Sequence, residues 1–68
     1  MNELKAFRLK RKLSRKDLSI KSGVHEKTIQ LIEEEKTTDI KLNTLIALSK
    51  ALNTKVRNIV NKDIAKHL

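Results

Sequence analysis

Residues 13–36 read LSRKDLSIKSGVHEKTIQLIEEEK, two short amphipathic helix patterns joined at the only glycine of the protein. Ser14 is followed three residues later by Asp17, which is the spacing of a capping box, so the first helix is predicted at about Arg15 to Ser22. Glycine readily adopts the positive φ that the chain often needs directly after a helix. We therefore expect a sharp turn at Gly23.

The second helix of this segment has an inward and an outward face. Val24 and Ile29 have the spacing of a hydrophobic staple around His25, which predicts a helix that begins at about Glu26. At about 100° per residue, one face combines Ile29, Ile32 and Glu33. The other face is a mostly polar stripe, formed by Glu26, Lys27, Gln30, Leu31 and Glu34. The major groove of DNA admits such a stripe, although any amphipathic surface helix has one.

The composition limits the classes of function. A chain of 68 residues makes one small domain. Cysteine is absent, which excludes disulfides and cysteine-based zinc or redox sites and favours a reducing, cytoplasmic setting. Phe7 is the only aromatic residue. Stacking on bases, which many single-strand and RNA binders use, therefore has almost no side chain to carry it.

The charge of the chain favours a polyanionic partner. The formal net charge is +8, with nine basic and three acidic side chains in residues 1–27 and seven and five in residues 28–68. The excess therefore lies in the first two helix patterns and at the start of the third. Nucleic acid and an anionic membrane surface both fit this charge, and a lysine-rich soluble surface would also produce it.

Three further helix patterns surround the central segment. Asn2 to Lys12 has apolar residues at helical spacing, and Leu42 to Leu52 is the strongest core helix. Val56, Ile59 and Val60 predict a short fifth helix. The domain is thus expected over residues 1–60, and 61–68 is expected to be a C-terminal extension whose apolar spacing permits a helix.

The loop before the fourth helix has two possible ends. Asp39 is the better cap by chemistry. Ile40 and Leu45 instead fit a staple around Lys41. Both alternatives stay open at the level of sequence.

Several classes of function lack the residues that they need. His25 and His67 are far apart in sequence and have no cysteine near them, and a single glycine cannot build a phosphate-binding loop. No enzyme, metal site or cofactor is therefore expected. The longest apolar run, Leu45 to Leu48, is far too short to span a bilayer, and one phenylalanine is a poor anchor for a membrane-surface helix.

The ordered set of motifs resembles the phage-repressor and Cro-like (XRE-type) helix-turn-helix family of DNA-binding regulators. The resemblance covers about Leu4 to Val60. It depends on Leu4, Phe7, Arg8, Leu13-Ser14, Leu18, Gly23-Val24, Ile29, Ile32, Glu33, Leu45 to Leu52 and Val56 to Ile59. It implies an all-α, compact five-helix repressor-like domain with the helix-turn-helix at helices 2 and 3.

The resemblance also implies a function and a set of site residues. The protein would be a repressor-like transcriptional regulator that binds specific sequences of double-stranded DNA, acts as a homodimer and inserts Glu26–Glu34 into the major groove. Four side chains would approach base edges: Glu26, Lys27, Gln30 and Leu31. Five would lie near phosphates: Arg15, Lys16, His25, Thr28 and Lys36. A helix cap with a solvated ring is an equal alternative for His25.

Members of this family often pair an arginine of the first helix with the glutamate that follows the core isoleucine of the recognition helix. Arg8 and Glu33 match these positions, and we expect a partly buried ion pair, with an exposed pair as the alternative. The family commonly has glutamine at the position of Arg15, serine or threonine at the position of His25, and glycine at the position of Glu35.

Glu33, Glu34 and Glu35 form an acidic run that would oppose binding if it lay near phosphates. We expect the run to point partly away from the duplex. A rival function is a helix-turn-helix scaffold that serves as a protein-binding module, such as an antitoxin, because a fold does not dictate a function.

Overall fold

The computed structural model describes residues 3–37 and 39–59. In these two stretches the chain forms five α-helices and no β-strand. The helices are α1 (Leu4–Lys10), α2 (Arg15–Ser22), α3 (Glu26–Glu33), α4 (Leu42–Ala51) and α5 (Val56–Ile59). The predicted all-α fold with a helix-turn-helix at helices 2 and 3 is confirmed. The predicted extension, 61–68, lies outside the described residues.

The hydrophobic core lies where the five helices meet. Side chains that are essentially inaccessible to solvent come from every helix: Leu4, Leu18, Ile29, Leu45, Leu48, Leu52 and Ile59. Burying one such side chain contributes about 1.5–3 kcal/mol. α2 packs on α3 and α4, while α5 packs on α4 and α1. The pair α2 and α3 is therefore held by α4, which packs on α2, and by α1, which packs on α3.

The helix starts follow the local signals of the sequence. Asp17 N–H donates to Ser14 Oγ at 3.0 Å, and Ser14 N–H donates to Asp17 Oδ2 at 2.9 Å, so the capping box at the start of α2 is complete. The N-cap of α4 is Lys41, and Ile40 packs against the core. The staple around Lys41, rather than a cap at Asp39, therefore sets the start of α4.

Three helices end earlier than predicted. α1 ends at Lys10 rather than Lys12, and α3 and α4 each end one residue before the predicted end. Each of these helices is followed by a residue with positive φ: Lys12 at 59°, Glu35 at 57° and Asn53 at 53°. After α3, Lys36 N–H donates to Leu31 O at 2.9 Å, five residues back, which is the bond of a Schellman motif. Because no glycine marks these ends, the sequence pattern extends past them.

Candidate nucleic-acid interface

A three-residue turn joins α2 to α3. Gly23 has φ 79° and ψ 7°, and its N–H donates to Ser19 O at 2.8 Å. Val24 N–H then donates to Ser22 Oγ at 3.1 Å. His25 occupies the N-cap of α3, where its side chain makes no cap hydrogen bond. The turn predicted at Gly23 is present, and its length is typical of a helix-turn-helix.

α3 has its apolar side in the core. Ile29 and Ile32 are buried, with 0% and 2% of their surface exposed. On the other side Glu26 and Lys27 are exposed, whereas Gln30 and Leu31 are half-buried. The four predicted base-reading side chains thus share the solvent side of a helix that the core holds in place.

Three of the predicted phosphate contacts lie at the starts of α2 and α3. Lys16 is the second residue of α2, and His25 directly precedes α3; both are exposed. Thr28 lies in the first turn of α3 and is half-buried. Helix N-termini carry unpaired N–H groups and a partial positive charge, which favour an anion such as a phosphate.

A buried ion pair links α1 to α3. Arg8 Nε donates to Glu33 Oε2 at 2.7 Å, and Arg8 Nη2 donates to Glu33 Oε1 at 3.1 Å. Only 8% of the Arg8 side chain and 1% of the Glu33 side chain are exposed. Arg8 Nη1 also donates to Leu13 O at 2.8 Å. The guanidinium therefore joins α1, the loop after it and the end of α3.

The other two predicted phosphate contacts, Arg15 and Lys36, are paired with carboxylates of the acidic run. Arg15 Nε donates to Glu33 Oε1 at 3.1 Å, and its side chain is 32% exposed. Lys36 Nζ lies 3.0 Å from Glu34 Oε1. The sequence-based expectation that these two cations face phosphates does not include these ion pairs. The pairing of Arg15 depends on how α2 packs on α3, which the sequence does not display.

Glu34, which the sequence analysis places in the outward stripe and in the acidic run, lies at the centre of a small surface network. Gln30 Nε2 donates to Glu34 Oε2 at 3.1 Å, and Arg15 Nη2 lies 3.9 Å from the same oxygen. The hydrogen bonds from Lys36 and, next, from Gln30 hold the pKa of the Glu34 carboxyl below its ordinary value. The one signal in the sequence is the spacing of four residues between Gln30 and Glu34.

In residues 3–37 and 39–59, no three acidic, histidine or cysteine side chains come together as a metal site would require. Within the same ranges, no helix has the length and apolar character needed to cross a membrane. The outward surface of α3 and the start of α2, where most of the predicted site residues lie, form the candidate site.

Comparison with known proteins identifies the family. A family model described as helix-turn-helix matches residues 4–59, which include all five helices. Searches of curated proteins and of solved structures gave no significant match. The matched family is a DNA-binding regulatory family, not an enzymatic one. The chain therefore belongs to the XRE-type helix-turn-helix family, as found in Cro and repressor proteins.

Proposed function

We propose that the protein is a transcriptional regulator that recognises a specific sequence of double-stranded DNA by inserting α3 into the major groove. The observation that carries this proposal is the two-sided environment of α3. Ile29 and Ile32 fix one side in the core, while Glu26 and Lys27 are exposed on the other. A helix fixed in this way presents the same side chains to every duplex that it meets.

The chemistry of the outward side chains suits base edges. Lys27 can donate to O6 or N7 of guanine, and Gln30 can bond adenine. Glu26 can accept from N4 of cytosine, and Leu31 can pack on the methyl group of thymine. A well-formed contact of this kind discriminates between bases by about 1–3 kcal/mol.

Contacts with phosphates would hold α3 in register. Lys16, His25 and Thr28 lie at the starts of the two helices and need no rearrangement to face a phosphate. Arg15 and Lys36 have further N–H donors besides those that contact Glu33 and Glu34, so each would share a phosphate with its carboxylate. Because both cations stay paired with the acidic run, its charge stays partly neutralised near the duplex.

The regulator is proposed to act as a homodimer and as a repressor. α3 has only eight residues, so one copy can contact few base pairs. Two copies on half-sites about 34–36 Å apart would combine two modest affinities into a tight one. Repression is the simplest mode of action, because a protein that occupies a promoter already blocks it.

Selection from a random library of duplexes, followed by sequencing at two salt concentrations, tests the proposal. The wild-type protein should enrich one motif, with two-fold symmetry if it binds as a dimer. The double variant Lys27→Ala with Gln30→Ala should lose that motif. Arg57→Ala with Asn58→Ala is the matched control, because it removes the same two kinds of side chain from exposed positions on α5. If the control lost the motif while the double variant kept it, the assignment of base recognition to α3 would be contradicted.

A second candidate function is a protein-binding module, such as an antitoxin. The observation that favours it is the exposure of three large apolar side chains: Leu9 at 55%, Ile20 at 74% and Leu42 at 54%. Salt separates the two functions, because binding led by phosphates weakens steeply as salt rises and an apolar contact does not. A library that yields no motif at low salt would favour the protein partner.

A further inference from the structure

We propose that Glu34 is a positioning residue for base recognition, which holds the amide of Gln30 in the one orientation that selects adenine. The inference rests on the DNA-binding function proposed above and assigns a specificity determinant to it. It starts from the hydrogen bond between these two side chains on the outward stripe of α3.

The chemistry of the hydrogen bond fixes the orientation of the amide. An ionised carboxylate has no proton to donate, so it can only accept. Gln30 therefore turns its nitrogen toward Glu34, with Nε2 at 3.1 Å from Oε2. A rotation of the amide by 180° would bring the carbonyl oxygen of Gln30 against the carboxylate oxygen. The two oxygens would repel each other, so Glu34 disfavours the flipped amide.

The groups that remain on Gln30 match one base. One N–H of the amide is used by Glu34, which leaves the second N–H and the carbonyl oxygen. In the major groove, adenine offers an acceptor at N7 and a donor at N6, and a glutamine that reads both needs one donor and one acceptor. An amide that is fixed in advance presents this donor and acceptor in one orientation, so less rotational freedom is lost when DNA binds.

Glu34 is itself held from two sides. Lys36 Nζ lies 3.0 Å from Oε1, while Arg15 Nη2 lies 3.9 Å from Oε2, the oxygen that accepts from Gln30. These contacts favour the ionised carboxylate, which agrees with the lowered pKa of Glu34. The acceptor that the Gln30 amide needs is thus present at neutral pH.

The network continues from Glu34 into the core. Arg15 Nε donates to Glu33 Oε1 at 3.1 Å, and Glu33 is paired with the buried Arg8. The position of the Gln30 amide is therefore connected through Arg15 to buried groups of α1 and α3, in addition to the contact of Glu34 with Lys36 in the loop after α3. Support of this kind is what a recognition side chain needs to be held in one geometry.

The first test compares base preferences in the library selection. Gln30→Ala identifies the position that Gln30 reads, and the wild-type protein should prefer adenine there. Glu34→Ala should lower that preference by about tenfold, within the range expected for one well-formed contact. Glu35→Ala is the matched control, because it removes the same charge from the next residue and should keep the preference. Thermal melts should show both variants folded.

The outcomes separate the inference from the function on which it rests. An unchanged adenine preference in Glu34→Ala, or an equal loss in Glu35→Ala, overturns the role of Glu34 and leaves DNA binding intact. If the wild-type protein enriches no motif, the proposed function fails and this inference fails with it.

The second test needs no DNA. NMR of the free protein should show that the side-chain amide signals of Gln30 shift as Glu34 is protonated, with a midpoint below about 4.5. Glu34→Ala should remove this dependence on pH, while Glu35→Ala should keep it. Amide signals that do not respond to pH in the wild-type protein would overturn the inference.

Discussion

Arg8 has a charged side chain that is 8% exposed, and its partner Glu33 is 1% exposed. Arg8→Ala would leave the buried Glu33 carboxylate with Arg15 as its cationic partner. Removing one member of a buried pair typically costs about 3–5 kcal/mol. Because Arg15 stays, we expect a loss near the lower end, about 3 kcal/mol in the free energy of unfolding, measured by urea denaturation.

Lys10→Ala is the control for this prediction. Lys10 lies in the last turn of the same helix and is exposed, so its removal should change the free energy of unfolding by no more than about 0.5 kcal/mol. Equal losses for the two variants would show that the Arg8–Glu33 ion pair stabilises the fold no more than an exposed lysine does. Replacing both partners, Arg8→Met with Glu33→Leu, should recover much of the loss, since an apolar pair leaves no buried charge.

At the scale of the helices, the end of α3 is one of the three helix ends where a residue with a Cβ has positive φ. Glu35 has φ 57°, a conformation that costs a residue with a Cβ about 1–2 kcal/mol. Glycine removes this strain but loses more entropy on folding, by about 0.5–1 kcal/mol. Glu35→Gly should therefore raise the free energy of unfolding by about 0.5–1 kcal/mol. Thermal and urea denaturation would measure the gain.

Two variants serve as counterparts to Glu35→Gly. Glu35→Ala removes the same charge and keeps the strain, so it should bring much less stabilisation. Gly23→Ala should lower the free energy of unfolding by about 1 kcal/mol, because Gly23 has φ 79°. Apart from Gly23 and its two chain neighbours, no heavy atom lies within 4 Å of the Cβ that it would gain, so the loss would come from the backbone alone. Equal stability of Glu35→Gly and Glu35→Ala would rule out strain at this position.

The starts of α2 and α3 could be predicted, the sequence limits the start of α4 to two alternatives, and the ends of α1, α3 and α4 could not be predicted, for a physical reason. A capping box such as Ser14 and Asp17 is a local pair, so the sequence displays it directly. Lys12, Glu35 and Asn53 take a left-handed conformation; glycine and, to a lesser degree, asparagine indicate it in sequence, whereas lysine and glutamate do not. The rest of the fold supplies the packing that holds these three residues there.

The candidate site likewise has one part that could be predicted from the sequence and one part that could not. The two faces of α3 follow from helical periodicity, so Ile29 and Ile32 could be assigned to the core. The network of Arg15, Glu34 and Gln30 could not be predicted, because it depends on how closely α2 lies against α3. Periodicity gives the side of a helix, not the distance to a neighbouring helix.

At the scale of the whole molecule, two carboxyls link stability to pH. The backbone N–H of Ser14, followed by its side chain, lowers the pKa of Asp17 from 3.8, and Lys36, followed by Gln30, lowers the pKa of Glu34 from 4.5. A lowered folded pKa means that the stabilisation is complete above the ordinary values and is lost as pH falls through the lowered ones.

The contribution of these two carboxyls to stability should therefore be constant from pH 7 to about pH 5 and should decline below about pH 4. Melting temperatures measured across this range would show it. Asp17→Asn and Glu34→Gln should each melt lower than the wild-type protein at pH 7, with a difference that shrinks toward pH 3. A difference that stays constant with pH would mean that these carboxyls do not contribute through their charge.

The net charge of +8 makes binding to DNA depend on salt, and each phosphate contact adds about one unit to the slope of log K against log salt concentration. Lys16→Gln should lower the magnitude of this slope by about one, because Lys16 is exposed at the start of α2. Arg57→Gln removes the same charge from α5, which packs on α1 and α4, and should leave the slope unchanged. The slopes come from titrations of the selected duplex at several salt concentrations. Equal slopes for the two variants would mean that the whole charge of the molecule, rather than the start of α2, meets the phosphates.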